Sequence, residues 1–298
     1  MNDGPDRRQV LSATAGVLAA ASMSPWLWAQ AESRTMRFGL VTYLWGSDLD
    51  LPTLLTACRE GNLDGLELRT THAHGVEPVL QAESREEIKA RFADSGIVLV
   101  GLGSDERFCW PEAERVKAAQ AKTLEFLQLS HDVGGSGVKV KPDSFRADVP
   151  REKTIEQIGQ TLKALGPRAA DLGQEIRLEV HGSCASPPVI RDIMAIADHP
   201  AVVVCWNCND ADLGGEGLDT NFRMLRPRFG DTLHVRHLAR HAYPYKNLFG
   251  LLRETDWTGW MLLEARGELP GDRAEAFREQ RVFFDSHQQS AGAREKIE

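Results

Sequence analysis

Residues 175–182, Glu-Ile-Arg-Leu-Glu-Val-His-Gly, alternate apolar and ionisable side chains over the length of one β-strand. Successive side chains of a strand point to opposite faces, so one face is apolar and the other carries Arg177, Glu179 and His181. In a closed barrel of parallel strands, the apolar face packs outward under helices and the other face looks into the barrel. The stretch therefore predicts a barrel strand with a charged interior.

The rest of the chain repeats this unit as short β-rich apolar runs that alternate with longer amphipathic segments. The predicted strands are Arg37–Thr42, Gly65–Arg69, Ile97–Gly101, Gly137–Lys141, Glu175–His181, Ala201–Asn207, Thr232–Leu238 and Thr258–Arg266. The predicted helices are Leu51–Glu60, Glu83–Asp94, Glu112–His131, Arg151–Leu172, Pro188–Ala197, Asn221–Phe229, Leu248–Glu254 and Arg273–Ser286. Strict alternation indicates a parallel sheet, and a count of eight indicates a closed (β/α)₈ TIM barrel of the α/β class.

A doubly wound open sheet is the alternative architecture. It requires a glycine-rich phosphate turn after an early strand. The first turn, at 43–47, reads Tyr-Leu-Trp-Gly-Ser and lacks one. We therefore expect a single barrel domain over 36–286, followed by a C-terminal tail at 287–298.

The first 31 residues have the features of an export signal. Arg7 and Arg8 precede a short run of small apolar residues, and Ala29-Gln30-Ala31 fits a cleavage site. Paired arginines resemble the twin-arginine signal, so we expect export of the folded protein to the periplasm. A disordered N-terminal tail is the alternative.

Charge and cysteine content exclude several function classes. The net charge of −8 disfavours nucleic acid and anionic membranes as partners. The five cysteines are scattered and odd in number, so no disulfide framework is expected. Cys205 and Cys208 form a C-x-x-C pair, but no second pair has zinc-finger spacing, and the two side chains would lie on different strand faces. No later segment is long and apolar enough to span a bilayer, so the mature protein is not expected in a membrane.

The alternation rule, applied to the other strands, predicts an ionisable barrel interior. The inward residues are Glu67, Arg69, Lys139, Lys141, Arg177, Glu179, His181, Asn207, His234, Arg236, Glu264 and Arg266. Burying these groups is costly unless they are paired or bound to metal. Oxygen donors with one imidazole suit Mn²⁺, Mg²⁺, Co²⁺ or Zn²⁺. A purely structural ion-pair network is the alternative.

Four motifs in chain order resemble a known family. They are Glu-Val-His-Gly at 179–182, Val-Cys-Trp-Asn-Cys-Asn-Asp at 204–210, His-Val-Arg-His-Leu at 234–238 and Leu-Leu-Glu at 262–264. With the segment 66–77 they resemble the xylose-isomerase-like TIM barrels of the sugar phosphate isomerase/epimerase family. The resemblance covers essentially all of 36–285.

The resemblance implies one divalent metal held by side chains from strands five to eight. The expected ligands are Glu179, Asn207, His234 and Glu264. Asn207 departs from the pattern, since the family has an aspartate there. An asparagine can coordinate through its carbonyl oxygen, but the lost charge weakens the site. Asp210 is a second-tier ligand candidate.

The resemblance also implies a sugar isomerase or epimerase that works by proton transfer next to a carbonyl, through a metal-stabilised enediolate. Glu179 and Glu264 are the expected acid and base. His181, Lys141 and Arg266 are candidates for substrate contacts, and each has an alternative role as an interior ion-pair partner.

Three other functions remain open at this stage. A lyase, hydrolase or dehydratase acting on keto-glycosides or inososes would use the same metal and base. A non-catalytic sugar-binding barrel would have a decayed metal site. A three-zinc endonuclease is disfavoured by the acidic chain and the shortage of His and Asp ligands. The expected partner is a small carbohydrate, and a homo-oligomer is compatible with the sequence.

Overall fold

The structure is a computed structural model that describes residues 35–239 and 243–289. The predicted signal segment lies outside the described residues, so its assignment stays a prediction. The described residues belong to one compact unit that begins at Thr35. Within them, no helix is both long and apolar enough to cross a membrane.

Eight parallel strands close into a barrel in chain order, as the alternation predicted. They are β1 Arg37–Val41, β2 Gly65–Arg69, β3 Val98–Arg107, β4 Gly137–Lys141, β5 Glu175–Glu179, β6 Val202–Asn207, β7 Phe229–Val235 and β8 Trp260–Leu263. Closure comes from the pairing of β1 with β8, in which Arg37 lies opposite Trp260. The fold is therefore a TIM barrel.

The α-helices of the described residues surround the strands. They are α1 Leu51–Glu60, α2 Ala82–Ser95, α3 Ala113–Val133, α4 Arg151–Asp171, α5 Pro187–Ala197, α6 Gly217–Leu225, α7 Tyr245–Glu254 and α8 Arg273–Gln289. Short 3₁₀ helices occupy Gly182–Cys184, Asp210–Leu213 and Arg226–Arg228. Helix α1 begins at Asp50, whose carboxylate accepts the Thr53 N–H at 2.9 Å. Helix α2 ends at Gly96 (φ 75°), because a left-handed residue costs least when it is glycine.

Several predicted elements are wrong in position, among them β7, which occupies Phe229–Val235 and not Thr232–Leu238. The helix predicted at Asn221–Phe229 ends at Leu225, because Pro227 lacks the N–H that a continuing helix needs. Phe229 instead begins β7. Strand β3 was predicted to end at Gly101, but it continues to Arg107. This extension matters for the site, since it adds side chains to the barrel mouth.

The main apolar core lies between the strands and the helices. On β6, Trp206 packs outward against Phe222 and Phe229. A smaller cluster of Val41, Val100, Trp260 and Leu262 is separate from this outer core. The outward and inward sets of β6 and β8 therefore follow the predicted alternation.

Arg177 is a structural cation of the barrel. Its guanidinium donates to Glu175 Oε2 at 3.0 Å, to the Val100 carbonyl at 3.0 Å and to Ser136 Oγ at 2.7 Å. Glycines make room for it, since a Cβ at Gly101 or Gly137 would lie 2.7 Å from a guanidinium nitrogen. Each guanidinium nitrogen of Arg177 is therefore bonded to the protein, and its buried side chain fills part of the barrel interior.

Candidate metal centre

The ends of β5 to β8 bring the four predicted ligands to one place. Glu179 and His234 have no exposed surface, Asn207 is 2% exposed and Glu264 is 6% exposed. Register explains part of this, since Asn207 of β6 lies opposite His234 of β7. One ligand atom from each of Glu179, His234 and Glu264 lies within 4.8 Å of the other two. These three side chains form a candidate metal centre at the carboxyl ends of the strands.

Asn207 points its amide nitrogen at the two carboxylates. Nδ2 donates to Glu179 Oε1 at 2.7 Å and lies 3.5 Å from Glu264 Oε2. This orientation follows from chemistry, because a carboxylate accepts hydrogen bonds and the amide oxygen cannot donate. Coordination through Oδ1 therefore requires a rotation of the amide. The assignment of Asn207 as a ligand stays a prediction.

Glu179 also contacts a buried lysine from the neighbouring strand. Lys139 Nζ of β4 lies 3.0 Å from Glu179 Oε2, and both side chains are almost completely buried. A glycine on β3 makes room here, since a Cβ at Gly103 would lie 3.4 Å from Lys139 Cε and 3.0 Å from Glu67 Oε1. Both oxygens of Glu179 are thus engaged, one by an ammonium and one by an amide.

His234 lies between two carboxylates. Nε2 is 3.3 Å from Glu67 Oε1, and Nδ1 is 3.4 Å from Glu179 Oε1. Glu67 of β2 has no exposed surface either. A carboxylate behind an imidazole fixes the ring orientation and makes the other nitrogen a better ligand. Glu67 therefore holds His234 so that Nδ1 faces Glu179.

The charges of this layer stabilise one another. Burial alone would raise the pKa of Glu179, but Lys139 and His234 hold that pKa well below its ordinary value. Burial would lower the pKa of Lys139, but Glu179, Glu67 and Glu264 raise it. The pKa of His234 is likewise raised well above its ordinary value, because Cys205 and Glu67 outweigh burial. Carboxylates in this layer therefore lie opposite a lysine and a histidine whose pKa shifts favour their positively charged forms.

The donor set fits a divalent cation. Oδ1 of Asn207 is buried and has no hydrogen-bond partner among the described residues. After a rotation of the amide it would add an oxygen donor to two carboxylates and an imidazole, and these are ligands that Mn²⁺, Mg²⁺, Co²⁺ and Zn²⁺ accept. A histidine binds metal through its neutral imidazole, so a metal at this centre would require His234 in its neutral form.

The predicted substrate-contact residues lie around this centre. Lys141 Nζ contacts Asp105 Oδ1 at 2.7 Å and is 8% exposed. His181 is half-buried, with Nδ1 3.4 Å from Asp143 Oδ1. Arg266 is the most exposed of the three, and its Nη2 lies 3.5 Å from Glu264 Oε2. Each therefore faces an acidic side chain at the barrel mouth.

Asp210 is exposed at the start of a 3₁₀ helix and is not part of the cluster of three ligand atoms. Its neighbour Asp212 is buried, and Oδ2 accepts the Asn209 N–H and the Tyr243 hydroxyl, both at 2.9 Å. Burial raises the pKa of Asp212 to about 7. The loop after β6 therefore contains a carboxyl group that titrates near neutral pH.

Sequence reasoning assigned no role to four residues of this region. Glu67 and Lys139 were predicted to point inward, but strand alternation gives no information on which inward groups pair. Asp105 and Arg107 were missed because Gly101 and Gly103 suggested a loop, whereas β3 continues through them. No signal of period two marks them, since residues 103–107 read Gly-Ser-Asp-Glu-Arg and lack an apolar face.

None of the cysteines belongs to the group of potential metal ligands among the described residues. All five are buried and free. Cys205 lies on the inward face of β6, beside His234. Burial and the nearby Asp212 raise the pKa of Cys208 well above its ordinary value. A buried thiol of raised pKa is poorly reactive.

A barrel with a polar centre at the carboxyl ends of its strands is the architecture of TIM-barrel enzymes. The family model described as xylose isomerase-like TIM barrel matches residues 55–287, and the chain belongs to this family. No curated protein sequence matches the chain.

Solved structures of sugar-converting enzymes share the fold. An E. coli 3-keto-D-glucoside 4-epimerase aligns with a TM-score of 0.72 and 16% identity, over 85% of this chain and 100% of that chain. An L-ribulose 3-epimerase has a TM-score of 0.75 and 13% identity, over 88% and 100% of the two chains. The IolI protein with a bound zinc atom has a TM-score of 0.71 and 13% identity, over 85% and 98%. At these identities the likeness establishes the fold.

Proposed function

We propose that the protein is a divalent-metal-dependent sugar isomerase or epimerase that moves a proton next to a carbonyl group. The observation that carries the proposal is the group of ligand atoms from Glu179, His234 and Glu264, buried within 4.8 Å of one another at the barrel mouth. Two similar structures are named as epimerases of keto sugars, and a third holds zinc in the same fold. Family membership agrees with this class of chemistry.

The two carboxylates have different surroundings. Glu179 is bonded to Lys139 and Asn207 at 3.0 and 2.7 Å, and its pKa is held well below the ordinary value, so it is ionised. Glu264 makes only two contacts of 3.5 Å, to Asn207 and Arg266, among the described residues. Because it is held less tightly, Glu264 is the carboxylate that is freer to take a proton from a substrate. In the two-base scheme Glu179 must first take a proton from the Lys139 ammonium, 3.0 Å from its Oε2, before it can deliver one to the other side of the substrate.

A divalent ion bound by Glu179, His234 and Glu264 supplies a Lewis acid for the charge that develops on the substrate oxygens. The other residues bind and orient the sugar. His181, Lys141 and Arg266 surround the centre with hydrogen-bond donors for hydroxyl or carbonyl oxygens. At the barrel mouth these three side chains thus position the sugar, and the two carboxylates transfer the proton.

A non-catalytic sugar-binding barrel is the second candidate. It is favoured by one specific observation, since Lys139 and Asn207 already satisfy both oxygens of Glu179 without a metal. A protein of this kind should retain less than stoichiometric metal after purification. Metal analysis therefore separates the two candidates.

The functional test is an activity screen of protein that has been stripped of metal and reloaded with Mn²⁺, Mg²⁺, Co²⁺ or Zn²⁺. The substrates are free ketoses, 3-keto-glycosides and inososes. We expect epimerised or isomerised product with metal, and none after chelation. Glu264→Gln should abolish product formation, whereas Glu156→Gln, on the exposed surface of α4, should leave it unchanged.

Metal content must be measured for each variant, so that a lost rate is assigned to proton transfer only when metal is retained. Release of a glycosidic fragment or of water would identify a lyase, hydrolase or dehydratase on the same centre. Product formation that is equal with and without metal would contradict the proposal.

A further inference from the structure

Three cations converge on one carboxylate at the barrel mouth. Lys141 Nζ lies 2.7 Å from Asp105 Oδ1, Arg107 Nη2 lies 2.9 Å from Oδ2, and Arg69 Nη2 lies 3.4 Å from Oδ1. The Asp105 side chain is 42% exposed, so this group, the Asp105 cluster, is open to solvent. One carboxylate cannot neutralise three cations.

The neighbouring groups leave the surplus of positive charge in place. Asp143 Oδ2 lies 3.6 Å from Arg107 Nη1 and supplies one more negative charge. His181 Nδ1 lies 3.4 Å from Asp143 Oδ1, and an imidazole is either neutral or positive, so His181 does not reduce this surplus. The whole chain carries −8, so this face differs in sign from the molecule around it.

Arg107 also has an unused donor. Its Nε is buried and has no hydrogen-bond partner within residues 35–239 and 243–289. The structural Arg177 of the same barrel differs, since each of its guanidinium nitrogens is bonded to the protein. A buried N–H without a partner costs free energy, and an anionic ligand would remove that cost.

The Asp105 cluster occupies one half of the mouth. Arg69 ends β2, Arg107 ends β3 and Lys141 ends β4, and Arg107 pairs in register with Lys141. The candidate metal centre lies on β5 to β8, the other half. A substrate that spans the mouth therefore meets the metal centre at one end and the cations at the other.

We propose that the substrate carries an anionic group, a carboxylate or a phosphate, which binds to Arg69, Arg107 and Lys141. This inference rests on the proposed function and narrows it to a sugar acid or sugar phosphate. The anion lies next to Asp105 and bonds to the cations that this carboxylate does not neutralise. Asp105 is then an internal competitor, so its removal strengthens anion binding.

The first test measures the binding of inorganic phosphate and of acetate to the full chain without added metal, at constant ionic strength. Lys141→Met should weaken the binding of the preferred anion by roughly tenfold or more, as expected when one charge-assisted hydrogen bond is lost. Asp105→Asn should tighten it by a similar factor. Lys163→Met, on the exposed face of α4, is the matched control and should change nothing.

The two anions distinguish the source of the negative charge. Stronger binding of acetate indicates a sugar acid, and stronger binding of phosphate indicates a sugar phosphate. If Asp105→Asn does not fold, Arg107→Gln serves as the second variant, and its affinity for the anion should fall. Failure of both anions to bind, or equal affinities in wild type, Lys141→Met and Lys163→Met, would overturn the inference.

The second test separates this inference from the proposed function. Solvent deuterium exchange is measured with metal-loaded protein and fructose, fructose 6-phosphate or fructuronate. We expect exchange in one of the two anionic sugars. Exchange that is as fast in fructose would overturn the anionic substrate and leave the proposed function intact. If anion affinity falls in Lys141→Met and rises in Asp105→Asn, but no sugar shows exchange, the anion site stands and the proposed function is overturned.

Discussion

Replacing Asn207 by aspartate should have opposite effects on the metal-free and metal-bound protein. In the metal-free state, Asp cannot donate the 2.7 Å hydrogen bond to Glu179, and it places a third carboxylate between Glu179 and Glu264 at a site that is 2% exposed. An uncompensated buried charge costs about 3–5 kcal/mol. At about 2–4 °C per kcal/mol for a domain of this size, Tm should fall by roughly 10 °C.

In the metal-bound state the same aspartate supplies a charged oxygen donor. We expect metal affinity to rise by roughly ten- to hundredfold, the range over which changes around a metal ligand usually act. Tenfold tighter binding at saturating metal returns about 1.4 kcal/mol of stability. The metal-induced rise in Tm should therefore be larger in Asn207→Asp than in wild type.

The assay combines thermal unfolding with and without metal and a titration against a chelator of known affinity. Asn247→Asp is the control, since it makes the same change at an exposed position of α7. If Asn207→Asp left both the metal-free Tm and the metal affinity unchanged, Asn207 would not lie between the two carboxylates. A weaker metal affinity would refute the reasoning about the fourth ligand.

Three further predictions concern other parts of the chain. Lys139→Met should destabilise the metal-free protein by about 3–5 kcal/mol, because Glu179 loses its buried partner. The variant should also bind metal more tightly in a chelator titration, because the Lys139 ammonium no longer competes for Glu179. Weaker metal binding would contradict this competition. The prediction for Asp212→Asn concerns how the stability of the fold depends on pH. The raised pKa of Asp212, about 7, means that the folded state binds a proton which the unfolded state releases at lower pH. This contribution to stability is therefore lost as the pH rises toward 7. Urea unfolding at pH 5 and pH 8 should show that the variant gains stability relative to wild type at the higher pH; a constant difference would contradict this sign. Replacing Arg7 and Arg8 by lysine should leave precursor in the cytoplasm, as cell fractionation would show, and normal export by the twin-arginine route would disprove that signal.

The fold could be predicted because several strands, β5 above all, have a strong period of two. On β5, Ile176 and Leu178 must pack under helices, and this requirement alone turns Glu179 toward the interior. On β3, Gly101 and Gly103 weakened the strand signal, because glycine is also common in loops. In the structure a Cβ at Gly103 would lie 3.0 Å from Glu67 Oε1, so a side chain there would displace that carboxylate slightly.

The pairing of the interior charges could not be predicted in the same way. Strand alternation gives the face of a residue but not its partner across the barrel. The contact between His234 of β7 and Glu67 of β2 joins residues 167 positions apart, and it depends on barrel closure and on side-chain length. The orientation of the Asn207 amide depends in turn on the two carboxylates that flank it.

Deuterium incorporation from solvent tests the proposed proton transfer most directly. Metal-loaded protein is incubated in deuterated water with a sugar that it converts, and the product is analysed by NMR for label at each carbon. We expect deuterium at one carbon next to the carbonyl, and no exchange in Glu264→Gln that retains its metal. Complete conversion to product without any solvent deuterium would contradict proton transfer through the two carboxylates and would indicate a hydride shift between adjacent carbons.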